Sequence, residues 1–131
     1  RCKNCIEIER DFEALPRVRC HAGQLNQAFL NLLMNACDAI GDRGRITVRT
    51  RARNGLVRLE FEDDGPGIPA DVRDRVFEPF YTTKPVGQGT GLGLSLTHGI
   101  IERHTGRIWV ESAAGIGTRF VIELPARRAE T

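Results

Sequence analysis

The sequence predicts an α+β fold in which helices cover one face of a mixed, mostly antiparallel sheet. Three observations support this prediction. One segment repeats apolar side chains at helical spacing, several shorter segments alternate apolar and polar residues as strands do, and turn-forming residues separate them. The length of 131 residues suits one hydrophobic core. We therefore expect residues 1–131 to form a single two-layer α/β domain.

The first elements are two short strands and a long helix. The segments "CIEIERDF" and "RVRC" are typical of strands. Between Gln24 and Ile40 the apolar residues recur every three or four positions, which predicts a helix that Gly41 and Gly44 stop. The apolar face of this helix consists of Leu25, Phe29, Leu32, Ala36 and Ile40.

A hairpin is expected next. The segments "RITVRTRA" and "LVRLEFED" alternate with period two around Asn54 and Gly55, which is the pattern of two strands joined by a tight turn. The side chains predicted to face the core are Ile46, Val48, Val57, Leu59 and Phe61.

The second half of the sequence predicts two helices and two more strands. Pro69 suits the first turn of a short helix that runs through Val76. A further helix is expected from Leu94 to Arg103, with Gly106 as its C-terminal cap. "RIWVES" and "TRFVIELP" then read as strands, and the inward face of the last strand holds Thr118, Phe120, Ile122 and Leu124.

Composition narrows the class of protein. The chain is 40% hydrophobic and 27% charged, without a long apolar run or a signal-peptide pattern, so we expect a soluble, cytoplasmic, monomeric domain without membrane contact. Its net charge is +2 and no basic block precedes the short C-terminal tail, which argues against nucleic-acid binding. Cys2 and Cys5 have the CxxC spacing, but no second ligand pair follows, so free thiols are expected.

A polar stripe accompanies the apolar face of the long helix. Asn31, Asn35 and Asp38 are four and three residues apart, so their side chains lie on one side of it. A solvated surface is the ordinary explanation, but Leu30 and Met34 on the far side favour a stripe that lines a cleft. An asparagine oxygen suits a Mg²⁺ ion that already carries water and phosphate oxygens.

The segment "DDGPGI" places an acid at the end of a buried strand. Asp63 has the same parity as Phe61, so its carboxylate should emerge on the inward face. There it could accept a hydrogen bond from an exocyclic amine such as the N6 of adenine, while Gly65 and Gly67 allow close approach. A simple turn explains the same glycines about equally well.

The segment "GQGTGLGLS" alternates glycine with other residues and leads into a helix. Backbone amides in such a loop can bind an anion without any side chain. The glycine spacing matches neither the dinucleotide fingerprint nor the Walker loop, and the hydrolase elbow fails as well. A mobile segment that closes over phosphates is therefore the expectation.

Together these segments resemble the catalytic, ATP-binding domain of sensor histidine kinases. "NQAFLNLLMNACDAI" is similar to the N box, "DDGPGIP" to the G1 box, "FEPFYTTK" to the F box and "GQGTGLGLS" to the G2 box of that family. "GIGTRFVIELP" is similar to its closing segment, and the form of "NLLMNACDAI" with "FEPFYTTK" most resembles the nitrogen-regulation type of sensor kinase. The resemblance implies the Bergerat ATP-binding fold of the superfamily that also contains type II topoisomerase, heat-shock chaperone and mismatch-repair ATPases.

The resemblance also implies roles for individual residues. Asn35 matches the Mg²⁺-binding asparagine, and Asn31 lies near the phosphates one turn earlier. Asp63 matches the acid that binds the N6 amino group of adenine. Thr118 matches the hydroxyl that contacts the adenine site through a water molecule. The remaining positions implied to contact nucleotide are Asp38, Gly65, Gly67, Ile68, Lys84, Gly89, Thr90, Gly91, Leu92, Gly93 and Leu94.

One departure from the superfamily bears on the reaction. The ATPases of the superfamily have a glutamate where this chain has Asn31. That glutamate is the base that takes a proton from the attacking water, and an amide cannot accept this proton. The resemblance therefore implies transfer of the γ-phosphoryl group of ATP to a histidine, with Mg²⁺ as cofactor. No residue matches the family's acceptor histidine, so we expect an isolated domain that acts with a dimerisation and phosphoacceptor hairpin and then a response regulator.

Two other functions remain open at this point. The first is a nucleotide-binding module in which ATP or ADP only regulates contact with a partner. The second is an anti-sigma type serine kinase, which shares the boxes but needs a base at the position of Asn31.

Overall fold

The computed structural model describes residues 5–12, 22–40, 43–78, 93–113 and 115–126. In chain order the elements are β1 (Cys5–Phe12), α1 (Ala22–Ile40), β2 (Arg43–Arg53), β3 (Leu56–Asp63), α2 (Ala70–Arg73), α3 (Gly93–Arg103), β4 (Arg107–Ala113) and β5 (Gly117–Pro125). The predicted strand "RVRC" lies outside the described residues.

The strands within the described part of the chain form one five-stranded sheet in the order β1-β2-β3-β5-β4. β1 runs parallel to β2, and every other neighbouring pair is antiparallel. The β2–β3 hairpin turns at Asn54 and Gly55, whose φ angles of 51° and 78° are those that a tight primed turn requires. The predicted hairpin and the mixed, mostly antiparallel sheet are therefore confirmed.

The core lies between this sheet and the two longer helices. Leu32 of α1, Ile101 of α3 and Ile122 of β5 have no exposed surface. The predicted inward faces of the strands are also confirmed, since Ile46, Val57 and Phe61 are buried and Val48 packs partly buried against the core. Alternation of side chains along each strand gives the opposite face, which we call the outer face, most of the charged residues, together with Trp109 and the buried Val121.

Three local predictions need correction. The short helix ends at Arg73 rather than Val76, because the chain tightens there: the Arg75 N–H donates to the Val72 carbonyl, three residues back. Pro69 precedes the first helical residue as its N-cap. Gly44 does not stop α1 but lies in β2, where it pairs with Ile6 of β1.

The end of α3 also differs in detail. The left-handed residue of the cap is Thr105, with φ of 61°, and Gly106 is the residue after it. The Gly106 N–H donates to the Ile101 carbonyl and the Thr105 N–H to the Glu102 carbonyl, which is the Schellman arrangement. Glycine is required at 106 because a Cβ there would lie 2.6 Å from the Glu123 carbonyl oxygen of β5.

No helix in the described ranges has both the length and the apolar character needed to span a bilayer.

Candidate nucleotide site

Asp63 ends β3 on the inward face, as its parity predicts. The residue is only 4% exposed, and its Oδ1 accepts a hydrogen bond of 2.9 Å from the Gly65 N–H. Burial raises the pKa of this carboxyl above its ordinary value of 3.8, while the backbone N–H groups of Gly65 and Thr118 oppose the rise. A nearly buried carboxylate with little charge compensation is well suited to a ligand that brings a hydrogen-bond donor.

The G1 loop, residues 64–68, joins this acid to its surroundings. On one side it lies against the end of α1, because a Cβ at Gly65 would come within 3.1 Å of the Ala39 carbonyl oxygen. On the other side the Pro66 carbonyl accepts a 2.6 Å hydrogen bond from the Gly115 N–H in the β4–β5 hairpin. The loop is therefore held between α1 and the hairpin, with Gly67 at a φ of 81°.

Ser112 and Thr118 form the other wall beside Asp63. Thr118 is paired with Asp63 across β3 and β5 and is 5% exposed. The Ser112 hydroxyl accepts a 2.7 Å hydrogen bond from the Ile68 N–H and donates to the Gly117 carbonyl at 3.0 Å. Its oxygen lies 3.2 Å from the Thr118 hydroxyl oxygen. One serine thus connects the G1 loop, the hairpin and Thr118.

Asn31 connects α1 to the beginning of α3. Its amide nitrogen donates to the Gly93 carbonyl and to the Thr97 hydroxyl, each at 3.2 Å. Its amide oxygen accepts a 3.1 Å hydrogen bond from Gln27. Thr97 is fully buried, and its own hydroxyl donates to the Gly93 carbonyl at 2.9 Å. The Asn31 amide therefore donates hydrogen bonds to α3, and as a neutral amide it supplies neither an acid nor a base.

Asn35 lies one helical turn further along the same side of α1. Its side chain is partly buried and makes no hydrogen bond within the described ranges, in contrast to Asn31. One further turn leads to Ala39, where the G1 loop touches the helix. Asp38 is exposed beside this line. The stripe predicted from the sequence therefore runs from the start of α3 towards Asp63.

A cleft of about 270 Å³ opens at the ends of β3, β4 and β5. Its walls are formed by Glu62, Asp63, Glu111, Ser112, Ile116, Gly117, Thr118 and Arg119. Among the residues with a described placement, no group of three His, Cys, Asp or Glu side chains converges. A divalent cation in this part of the molecule would need oxygen ligands from an amide, from water or from a bound phosphate.

The structure brings together only some of the predicted site residues. Asp63, Gly65, Gly67, Ile68 and Thr118 surround the end of β3, whereas Asn31 and Asn35 lie along α1. Gly93 is the first residue of α3, and Leu94 packs partly buried against the core. The predicted positions outside the described residues are Lys84, Gly89, Thr90, Gly91 and Leu92.

Sequence reasoning missed Ser112, Thr97 and Gln27. Ser112 had a usable signal, because it shares the inward parity of Ile108 and Val110 and ends its strand opposite Thr118. Thr97 and Gln27 had none, since their partners come from another helix or depend on the rotamer of Asn31.

A helix-covered sheet with a buried acid at the end of a central strand, beside a glycine turn, defines a class of nucleotide-binding domain. The family model for histidine kinase-, DNA gyrase B- and HSP90-like ATPases matches residues 20–128. The chain belongs to this family. Within it, the chain is an ATP-binding catalytic domain of the two-component sensor histidine kinases, which confirms the predicted family, fold and class of enzyme.

Individual relatives agree with this assignment. Sensor kinase CckA of Brucella abortus is 46% identical over an alignment that covers 92% of this chain and 14% of that protein. The sensory histidine kinase/phosphatase NtrB of Rhodobacter capsulatus is 44% identical, and the match covers 94% of this chain and 38% of that protein. The structure of the mycobacterial sensor histidine kinase MprB superimposes with a TM-score of 0.83 at 35% identity, covering 93% of this chain and 83% of that one.

Proposed function

We propose that this domain binds Mg-ATP with the adenine beside Asp63 and the phosphates along α1. Support comes from the buried carboxylate of Asp63, which needs a hydrogen-bond donor, and from the polar line of α1 that ends at the same place. The eight residue-to-residue steps from Asn31 to Ala39 span about 12 Å of helix. That length is comparable with the extent of a nucleotide from its base to its terminal phosphate.

The same site is proposed to hold Mg²⁺ at Asn35. The residues fit this ion, because the Asn35 amide is partly buried and has no hydrogen-bond partner among the described residues. A neutral amide oxygen suits an ion whose other ligands are phosphate and water oxygens. When bound, the ion would neutralise negative charge that develops on the transferring phosphoryl group.

The proposed reaction is transfer of the γ-phosphoryl group to a histidine. Asn31 carries this part of the proposal, because its amide donates to α3 and offers no base for an attacking water. A neutral imidazole needs no such base, since one ring nitrogen already has a free lone pair. In the reaction the P–N bond forms, the bond between the γ-phosphorus and the bridging oxygen breaks, and ADP leaves.

The partners follow from this reaction. The chain spans 14% to 38% of the length of the relatives named above. We propose that the acceptor histidine lies on a dimerisation hairpin elsewhere in a longer kinase, and that a response regulator receives the phosphoryl group. Because ATP is the donor, the proposed location of the domain is the cytoplasm.

The alternative is a nucleotide-binding module without transfer activity of its own, and transfer in trans separates the two. The domain would be incubated with γ-labelled ATP, Mg²⁺ and a separately prepared hairpin from the same kinase. The proposal predicts acid-labile label on the hairpin, and none on a hairpin whose histidine is replaced by glutamine. Tight nucleotide binding without transfer to the intact hairpin would favour the regulatory module.

A further inference from the structure

The Ser112 hydroxyl has no assigned role in this site, yet its hydrogen bonds determine what its neighbour can do. A serine hydroxyl has one proton and two acceptor lone pairs. In this structure the proton is directed to the Gly117 carbonyl, and one lone pair accepts the Ile68 N–H. The contact with Thr118 at 3.2 Å is compatible with either hydroxyl as donor, and we infer that Ser112 accepts in it, because its one proton is used for the Gly117 carbonyl.

This arrangement determines the orientation of the Thr118 hydroxyl. Because Ser112 accepts, the Thr118 hydroxyl proton points to Ser112, and its lone pairs are the part left for a ligand or a bridging water. Thr118 is paired with Asp63, whose carboxylate is also an acceptor. The end of β3 and the start of β5 then carry two acceptors side by side, and no side chain described there places a donor between them.

We propose that Ser112 is a specificity-determining residue, which selects a purine with an amino group at C6 by fixing Thr118 as an acceptor. This inference rests on the proposed binding of adenine beside Asp63. An amino group donates to both acceptors, directly or through water. A purine with an oxygen at C6 offers another acceptor at that position and is rejected, because a buried acceptor without a donor loses a hydrogen bond.

The neighbouring backbone keeps this arrangement in place. A Cβ at Gly117 would collide with the Asp63 carbonyl oxygen, so the hairpin approaches β3 as closely as glycine allows. Gly117 has a φ of 147°, a conformation that other residues rarely adopt. The carbonyl that takes the Ser112 proton is thus fixed by the backbone, and the orientation of the hydroxyl is fixed with it.

The test compares ATP with inosine triphosphate, whose base has an oxygen in place of the amino group at C6 and a proton on N1. Affinities for both would be measured with Mg²⁺ for the wild type, Ser112→Ala and Ser112→Thr. Without the serine oxygen the Thr118 hydroxyl can rotate and donate, so Ser112→Ala should narrow the preference for ATP by about fivefold, the value of one neutral hydrogen bond. Ser112→Thr retains the hydroxyl and should retain the preference.

A control and a second variant make the outcome decisive. Thr47→Val removes a hydroxyl from the outer face of β2 and should leave the ratio unchanged. If Ser112→Ala does not fold, Ser112→Cys replaces the hydroxyl with a weakly hydrogen-bonding thiol and should narrow the ratio in the same direction. An equal loss of affinity for both nucleotides would overturn the inference about Ser112 but would not contradict the proposed function of ATP binding. Failure of the folded wild type to bind either nucleotide would overturn the proposed function, and this inference with it.

Discussion

At the scale of single residues, Asp63 shows how burial and function are connected. Its carboxylate is nearly inaccessible, and burial raises its pKa from the ordinary value of 3.8. A group whose pKa is raised by folding stabilises the protein below its unfolded pKa, and that contribution is lost as the pH rises through the folded pKa. Above its folded pKa the ionised Asp63 is therefore unfavourable for folding, and the binding role proposed for it would explain why a carboxyl group lies at this buried position.

This gives a prediction with two parts. Asp63→Asn should weaken ATP by about 10–100-fold, the usual range for loss of a hydrogen bond to a charged group, and should weaken tripolyphosphate little. Wild-type affinity for ATP should fall on acidification towards the raised pKa of Asp63, because the protonated acid accepts poorly. The variant should lack that pH dependence and should be no less stable than the wild type at pH 7 without ligand. Titrations across pH and thermal melts measure both parts, and an equal loss for ATP and tripolyphosphate would argue against base recognition.

At the scale of elements, the outer face of the sheet combines a network of charges with an apolar pair, Trp109 of β4 opposite the buried Val121 of β5. Glu60 lies at its centre, and its carboxylate has Arg49 at 3.4 Å, Arg119 at 3.5 Å and Arg58 at 3.7 Å. The Glu60 side chain is 12% exposed, far less than that of Glu62 on the same strand at 40%. Three strands, β2, β3 and β5, thus contribute an arginine to one acid.

Removal of this acid should have a larger effect than removal of its neighbour. Glu60→Gln keeps the shape but leaves three arginines without their shared counter-charge, so the free energy of unfolding should fall by about 1–3 kcal/mol. Glu62→Gln, at a more exposed position, should change it by less than about 1 kcal/mol. Denaturant unfolding of both variants measures the difference. Equal values for the two would mean that the outer face contributes little as a network.

The elements also show what could be predicted and what could not. Alternation placed Phe61, Asp63 and Thr118 on the inward face correctly, and Asn54 with Gly55 predicted the turn, because these features depend on residues close in sequence. Alternation does not reveal which strands become neighbours. The parallel pairing of β1 with β2, and the position of β5 between β3 and β4, were therefore not predicted.

The same limit applies to the site. The acid after β3 and the asparagines of α1 could be found because each follows a local pattern. The hydrogen bonds of Ser112 to Ile68 and of Asn31 to Gly93 join residues that are 44 and 62 positions apart, and no local pattern contains them. Thr105 took the left-handed position expected for a glycine, because the cap places Gly106 where β5 leaves no room for a side chain.

At the scale of the whole molecule, the site has walls from separate parts of the chain. α1 contributes Asn31 and Asn35, β3 contributes Asp63, and the β4–β5 hairpin contributes Ser112 and Thr118. These parts meet through the core and through the hydrogen bonds of the G1 loop. The binding site thus depends on the assembled fold, and the family, the fold and the buried acid all point to a nucleotide.

The most direct test of this account is a calorimetric titration of the domain with a non-hydrolysable ATP analogue, with and without Mg²⁺. The wild type, Asn35→Ala and, as a matched control on the same helix, the exposed Asn26→Ala would be compared. The account predicts saturable binding that Mg²⁺ strengthens. The gain in affinity caused by Mg²⁺ should be smaller by about tenfold or more in Asn35→Ala and unchanged in Asn26→Ala. Absence of binding to well-folded protein would contradict the account. An affinity that is the same with and without Mg²⁺ would remove Asn35 from the proposed site.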